Sequence, residues 1–182
     1  MIGLKTYLST LSPLLGQSEE ILYERQRALV REGLLESIGG RGLGSGVRAD
    51  ESALSAFLIS LLAHDILAQS EIAEFFCNMK SDAGKCPFTG ARTFREGLEA
   101  VLGHEALAEK IAGVMVHRNH PGRAYLQFVG KNNRIITSEF RPLGLFRMFI
   151  PVSALRTSTS FDLGFIRGVA KDIAQFKKDG AS

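Results

Sequence analysis

Between residues 18 and 33 the chain sets Leu22, Leu29 and Val30 at helical spacing, with charged residues between them. Ser18 ahead of Glu19 and Glu20 reads as an N-cap followed by carboxylates at the positive end of a helix dipole, and Gly33 is a natural stop. Upstream, residues 10–15 form a shorter helical candidate behind an arm at residues 1–7, with Pro13 suited only to a first turn. Gly16-Gln17 supplies the turn between the two helices. Leu34-Leu35 starts a short strand, and residues 39–48, GGRGLGSGVR, form a glycine-rich loop. Asp50 caps the next helix, whose run SALSAFLISLLAHDIL is apolar on nearly every side and belongs inside a core.

Beyond residue 69 the pattern changes. A helix over 71–79 leads into the loop SDAGKCPFTGA, and Thr93 with Glu96 forms a capping box ahead of a helix reaching about residue 102. A further short helix is expected over 105–111. Alternating residues then predict strands at 113–118, 124–129 and 134–140, with a fourth at 145–150. His120-Pro121-Gly122 and Gly130-Lys131-Asn132-Asn133 serve as hairpin connectors. The chain closes with an amphipathic helix over 161–178, carrying Phe165, Val169, Ile173 and Phe176 on one side. The expected fold class is α+β. A helical module occupies residues 1–69, and an α+β module with a small antiparallel sheet of three to four strands occupies 70–182.

Composition narrows the class. The 182 residues are 45% apolar and 23% charged, enough for an ordinary core and unlike a disordered chain. No apolar stretch approaches the roughly 18–20 residues of a membrane span. Residues 1–10 lack the pattern of a secretory leader, and two cysteines, Cys77 and Cys86, make no disulfide framework. A cytoplasmic protein without membrane association is expected. Charge is uneven, with net +1 over residues 1–49, −5 over 50–110 and +7 over 111–182.

Short helix, glycine turn, longer helix, glycine stop, strand and basic glycine-rich loop follow one another in the order of a winged helix-turn-helix. A helix fits the major groove, and a glycine-rich hairpin with Arg41 and Arg48 can lie against phosphates. Gly16-Gln17-Ser18, Leu22, Leu29, Glu32-Gly33-Leu34-Leu35 and Gly40-Arg41-Gly42 resemble the N-terminal DNA-binding domain of bacterial GntR-type transcription regulators, and more loosely the MerR type. The resemblance covers about a quarter of the chain, and the C-terminal module is unmatched. It implies operator binding as a homodimer on double-stranded DNA. It also matches Ser18 to the start of the recognition helix, and Arg41 and Gly42 to the wing. The chain departs from that family just after Ser18, where Glu19, Glu20 and Ile21 replace basic and threonine positions; carboxylates there repel phosphates. Base readout therefore falls to Gln17, Ser18, Tyr23 and Arg27, and phosphate contact to Arg31, Arg41, Gly42 and Arg48.

Other chemistry weighs less. The glycine-rich loop matches neither GxxxxGK[ST] nor GxGxxG, the C-x8-C spacing of Cys77 and Cys86 lacks the paired clusters of a zinc site, and Cys77 reads as a core residue. Cys86 with His117 or His120 lacks an acidic orienter. Neither cofactor, metal nor enzyme activity is expected, and the sequence names no small-molecule effector. The basic sheet with Tyr125, Phe128 and Phe140 has the composition of a base-stacking surface, but its alternation turns one face inward and favours a dimerisation or regulatory role. The apolar helix after Asp50 and the C-terminal helix are the candidate dimer interfaces. The expected function is a sequence-specific, homodimeric transcription regulator, with a protein-interaction adaptor or antagonist on the same fold as the alternative.

Overall fold

The computed structural model describes residues 2–39, 46–63, 70–118, 122–143 and 158–180. Its first helix, α1 (Leu4–Leu15), begins well before the expected start at residue 10, so most of the expected arm is helical. Leu4, Tyr7, Leu8 and Leu11 repeat at helical spacing and are all buried, and that stripe recruits the early residues despite an N-cap, Gly3, that offers no side-chain bond. Pro13 consequently lies in the last turn of α1, not the first; there its missing amide costs one bond near an end that Gly16 closes in the left-handed conformation, φ 63°.

Helix α2 (Glu19–Arg31) is followed by α3 (Glu51–Ala63), capped by the Asp50 carboxylate accepting from the Ala53 amide at 2.8 Å. Residues 64–69 of the expected longer apolar helix lie outside the described residues. Residues 53–63 are all buried, and α3 packs chiefly against α4 (Ser70–Cys77) and α5 (Phe94–Gly103). Its apolar surface is consumed within the molecule, so α3 is not available as a dimer interface. The capping box of α5 is present, with Thr93 Oγ1 accepting from the Glu96 amide and Glu96 Oε2 accepting from the Thr93 amide. The next helix, α6 (Glu105–Ala108), is a single turn, shorter than expected, because the chain enters a strand at Ile111.

Among the described residues the sheet has five antiparallel strands, more than the three or four expected. In chain order they are β1 (Lys80–Ser81), β2 (Ile111–His117), β3 (Arg123–Val129), β4 (Ile135–Arg141) and β5 (Ser158–Phe161), arranged β1-β4-β3-β2-β5. The strand expected at 145–150 lies outside the described residues. Val114, Val116, Ala124, Leu126, Phe128 and Phe140 point from one sheet face into the core. Against that face lie α5 and α7 (Leu163–Gly180). A Cβ on Gly97 of α5 would fall 2.8 Å from Leu126 Cδ1, so the helix rests directly on β3.

One apolar core runs from Leu4 of α1 to Ile173 of α7, and the expected division after residue 69 does not separate two cores. Tyr7 donates from its hydroxyl to Asp172 Oδ2 at 2.6 Å and meets Phe176 edge to face, while Lys177 reaches Glu51 at 2.9 Å. Among the described residues, no helix is long and apolar enough to cross a membrane.

Candidate nucleic-acid interface

The turn between α1 and α2 is built from its own polar groups. The Gln17 amide bonds the Ser12 carbonyl at 3.3 Å, and Ser12 Oγ returns a bond to the Gln17 carbonyl at 2.7 Å. Ser18 caps α2 as its pattern predicts, with its Oγ accepting from the Ile21 amide. That bond employs the hydroxyl locally. Gln17 is half-buried, with an Oε1 that has no partner among the described residues.

Helix α2 turns Leu22, Arg25, Gln26 and Leu29 inward and Glu19, Glu20, Ile21, Glu24, Arg27 and Arg31 outward. Its exposed side therefore runs from acidic at the first turn to basic at the last. Arg27 is tied to Glu24 at 2.8 Å, and Tyr23 is half-buried with the Lys5 ammonium 4.7 Å above its ring. Arg31 is exposed with no carboxylate partner among the described residues. Sequence reasoning missed two residues here. Lys5 joins the surface only because α1 begins early. Arg25 is 5% exposed and donates from Nη1 to the Ser60 carbonyl at 2.9 Å, in the last turn of α3. Its place in the Leu22–Arg25–Leu29 stripe was the available signal.

After α2, Gly33 takes φ 72°, which lets the Leu34 amide fold back onto the Leu29 carbonyl at 2.9 Å. Leu34 and Leu35 are buried, but form no strand; pairing starts at Ile38, which exchanges two backbone bonds with Gly46, of 3.0 and 2.8 Å. The returning segment is fastened to the start of the chain: the Leu4 amide donates to Val47 O at 2.8 Å, and the Ala49 amide to Ile2 O at 3.1 Å. Val47 and Ala49 are buried and Arg48 between them is exposed, the alternation of a strand. Arg41 and Gly42 lie outside the described residues. At the foot of this hairpin a cavity of about 310 Å³ is lined by Glu36, Arg48, Asp50, Ser52 and Arg95, among others.

The sheet offers less to a nucleic acid than its composition suggests. Phe128 and Phe140 are fully buried, and Tyr125 is half-buried against His117. Arg123 and Arg141 both reach Glu139 at 2.9 Å, and Arg141 also pairs with Asp82 at 3.2 Å. The two guanidinium groups, with the Arg141 hydrogen bond first, hold the Glu139 carboxyl below its ordinary range. Cys77 is buried in α4, and burial pushes its thiol up to about 12, as fits a core residue. Cys86 is also buried, but Ser138 and Thr89 hydroxyls and the amides of Thr89 and Phe88 bond its sulfur and outweigh burial, lowering its pKa. His117 lies on β2, and His120 lies outside the described residues.

Comparison with protein-family models, with curated proteins and with solved structures finds no match to this chain.

Proposed function

We propose that the chain binds double-stranded DNA through residues 2–49, acting as a homodimeric transcription regulator in the manner of a winged helix-turn-helix. The observation that carries this reading is the fastening of residues 46–49 to residues 2–4, beside the α1–Gly16–α2 pair. Fastened that way, Arg48 keeps a fixed relation to α1 and, through it, to the outer side of α2, as joint contact with groove and backbone requires. Among the described residues Arg31 and Arg48 are exposed with no carboxylate partner and serve phosphates, and Arg27 is available once its exposed pair with Glu24 is exchanged, a pair worth a few tenths of a kcal/mol. The acidic first turn of α2 stays off the phosphates in this reading, so specificity comes from the C-terminal half of α2 and the hairpin.

The test is a gel shift of the full chain on DNA from upstream of its own gene against scrambled DNA, across a salt series. A specific complex that outlasts the random one as salt rises is expected. Arg31→Gln with Arg48→Gln lowers the slope of log affinity against log salt by about two per copy. Equal, salt-labile retention of both DNAs removes specific readout, and an unchanged slope removes these two residues from the interface.

One observation favours the adaptor reading. Leu14 and Ile21, 63% and 46% exposed, stand at the tip of the helical pair with Glu19 and Glu20, a surface suited to an apolar, basic protein partner. Absence of any shift on either DNA selects it.

A further inference from the structure

Among the described residues, strand β4 has one satisfied edge and one open edge. On one side it pairs with β3 from Ile135 to Phe140. On the other, β1 covers only Phe140 and Arg141, and the Asp82 amide reaches the Glu139 carbonyl at 3.0 Å. Antiparallel pairing alternates, so residues two apart turn their N–H and C=O groups to the same side. Glu139 bonds away from β3; Ile135 and Thr137 therefore present their backbone groups to the open edge as well. The Val129 amide, which donates to Lys110 on the far side of β3, fixes the same alternation independently.

The open stretch is also apolar on both faces. Ile135 is 54% exposed on the outer face and Ile136 is 43% exposed on the core side, where the helical layer stops short of it. Toward residue 131 the stretch ends in a 3₁₀ turn, with Asn132 and Asn133 at positive φ. Toward residue 139 it ends at Asp82. Three residues, Ile135, Ile136 and Thr137, remain uncovered among the described residues.

We infer that this edge pairs antiparallel with the same edge of a second copy of the chain, in a register centred on Ile136. A two-fold axis there sets Ile135 of each copy opposite Thr137 of the other, so that each exchanges both backbone bonds. It also brings the two Ile136 side chains together. Other registers run into the 3₁₀ turn or into Asp82. A foreign strand would satisfy the hydrogen bonds, but only the two-fold copy brings an isoleucine to each face while using the same three residues twice. The pairing closes on itself and propagates no fibre. Lys131 and Arg134 flank it with positive charge and discourage longer edge-to-edge growth. Contact of this size makes a concentration-dependent dimer, not an obligate one. The inference gives the homodimer of the proposed function an interface, and rests on that reading only for its purpose.

Sedimentation velocity of the full chain without DNA, over about a hundredfold range of concentration, tests it directly. Because no DNA is present, the outcome is separate from that of the gel shift. The wild type should pass from monomer toward dimer. Thr137→Pro removes an amide that faces away from β3 and should hold the chain monomeric with its circular dichroism intact. Ile135→Lys with Ile136→Lys, at side chains exposed in the monomer, should do the same and serves if the proline variant fails to fold. A wild type that stays monomeric throughout overturns the inference, as does undiminished dimerisation of a folded edge variant.

Discussion

Arg25 is a cation inside a stripe of leucines, and its guanidinium ends on the carbonyl of Ser60. Arg118 makes a similar bond from β2's end, with its Nε donating to Leu62 O at 2.8 Å. Two arginines from distant parts of the chain thus bond carbonyls of the last described turn of a helix that has almost no polar surface of its own. Truncating Arg25 to Ala removes that bond from a buried carbonyl and opens a gap beside Leu22 and Leu29. The expected loss is about 1–3 kcal/mol, read from the shift of a urea midpoint at unchanged m-value. A loss within a few tenths of that of an exposed control such as Arg31→Ala would mean that the Ser60 bond contributes nothing net.

Among the elements, those governed by neighbours in sequence were legible and those governed by distant partners were not. Ser18, Gly33, Asp50 and the Thr93–Glu96 box act within a turn or so of where they stand, and each does in the structure what its type and spacing predict. The start of α1 was missed because Gly3 carries no cap and Pro13 invites a later beginning. β1 and β5 were missed for another reason. Lys80-Ser81 is too short to show a period, Ser158–Phe161 is largely polar, and each becomes a strand only through β4 or β2. The same limit applies to the candidate interface. Ser18 and Arg48 could be placed from local pattern, whereas the pairing of Arg27 with Glu24 and of Lys5 with Tyr23 depends on side-chain choices that spacing leaves open. Gly97 shows how an element can conceal its main constraint. Alanine is ordinarily better than glycine inside a helix by about 1 kcal/mol, but here its methyl would fall 2.8 Å from Leu126 Cδ1 and 3.3 Å from Phe140 Cζ, both in fully buried side chains. Overpacking wins, and Gly97→Ala should destabilise the protein by about 1–3 kcal/mol. A rise in thermal midpoint for that variant would show that α5 can lift from β3 without cost.

At the scale of the whole molecule, three carboxylates held below their ordinary range are spread over separate joints. Burial raises Glu51, but the Lys177 bond between α3 and α7, a backbone amide and the charges of Lys177 and His104 together outweigh it. Glu96 is lowered first by backbone amides at the head of α5, and Glu139 first by Arg141 on the sheet. A carboxyl whose pKa is depressed by folding binds its proton later than the unfolded chain does. Stability from these groups is therefore complete above about pH 4.5 and is lost as pH falls through the folded values. Urea midpoints should be level from pH 7 to about 5 and fall below about 4.5, and Glu139→Gln should make that fall shallower. An equal slope in the variant would assign the acid sensitivity elsewhere. The charged partners of Glu51 and Glu139 are partly exposed, so those two effects are modest and weaken with salt.

Tyr7 stands in the first helix, and its hydrogen bond and ring contact are both to the last, at Asp172 and Phe176. During synthesis the two ends of that contact leave the ribosome far apart in time. Until α7 has emerged, one side of α1 lacks its cover and the core that α3 threads is unfinished at one wall. The helical pair proposed to meet DNA is made well before the helix that braces it, so a nascent chain cut off before residue 163 carries the pattern of the binding element without that brace.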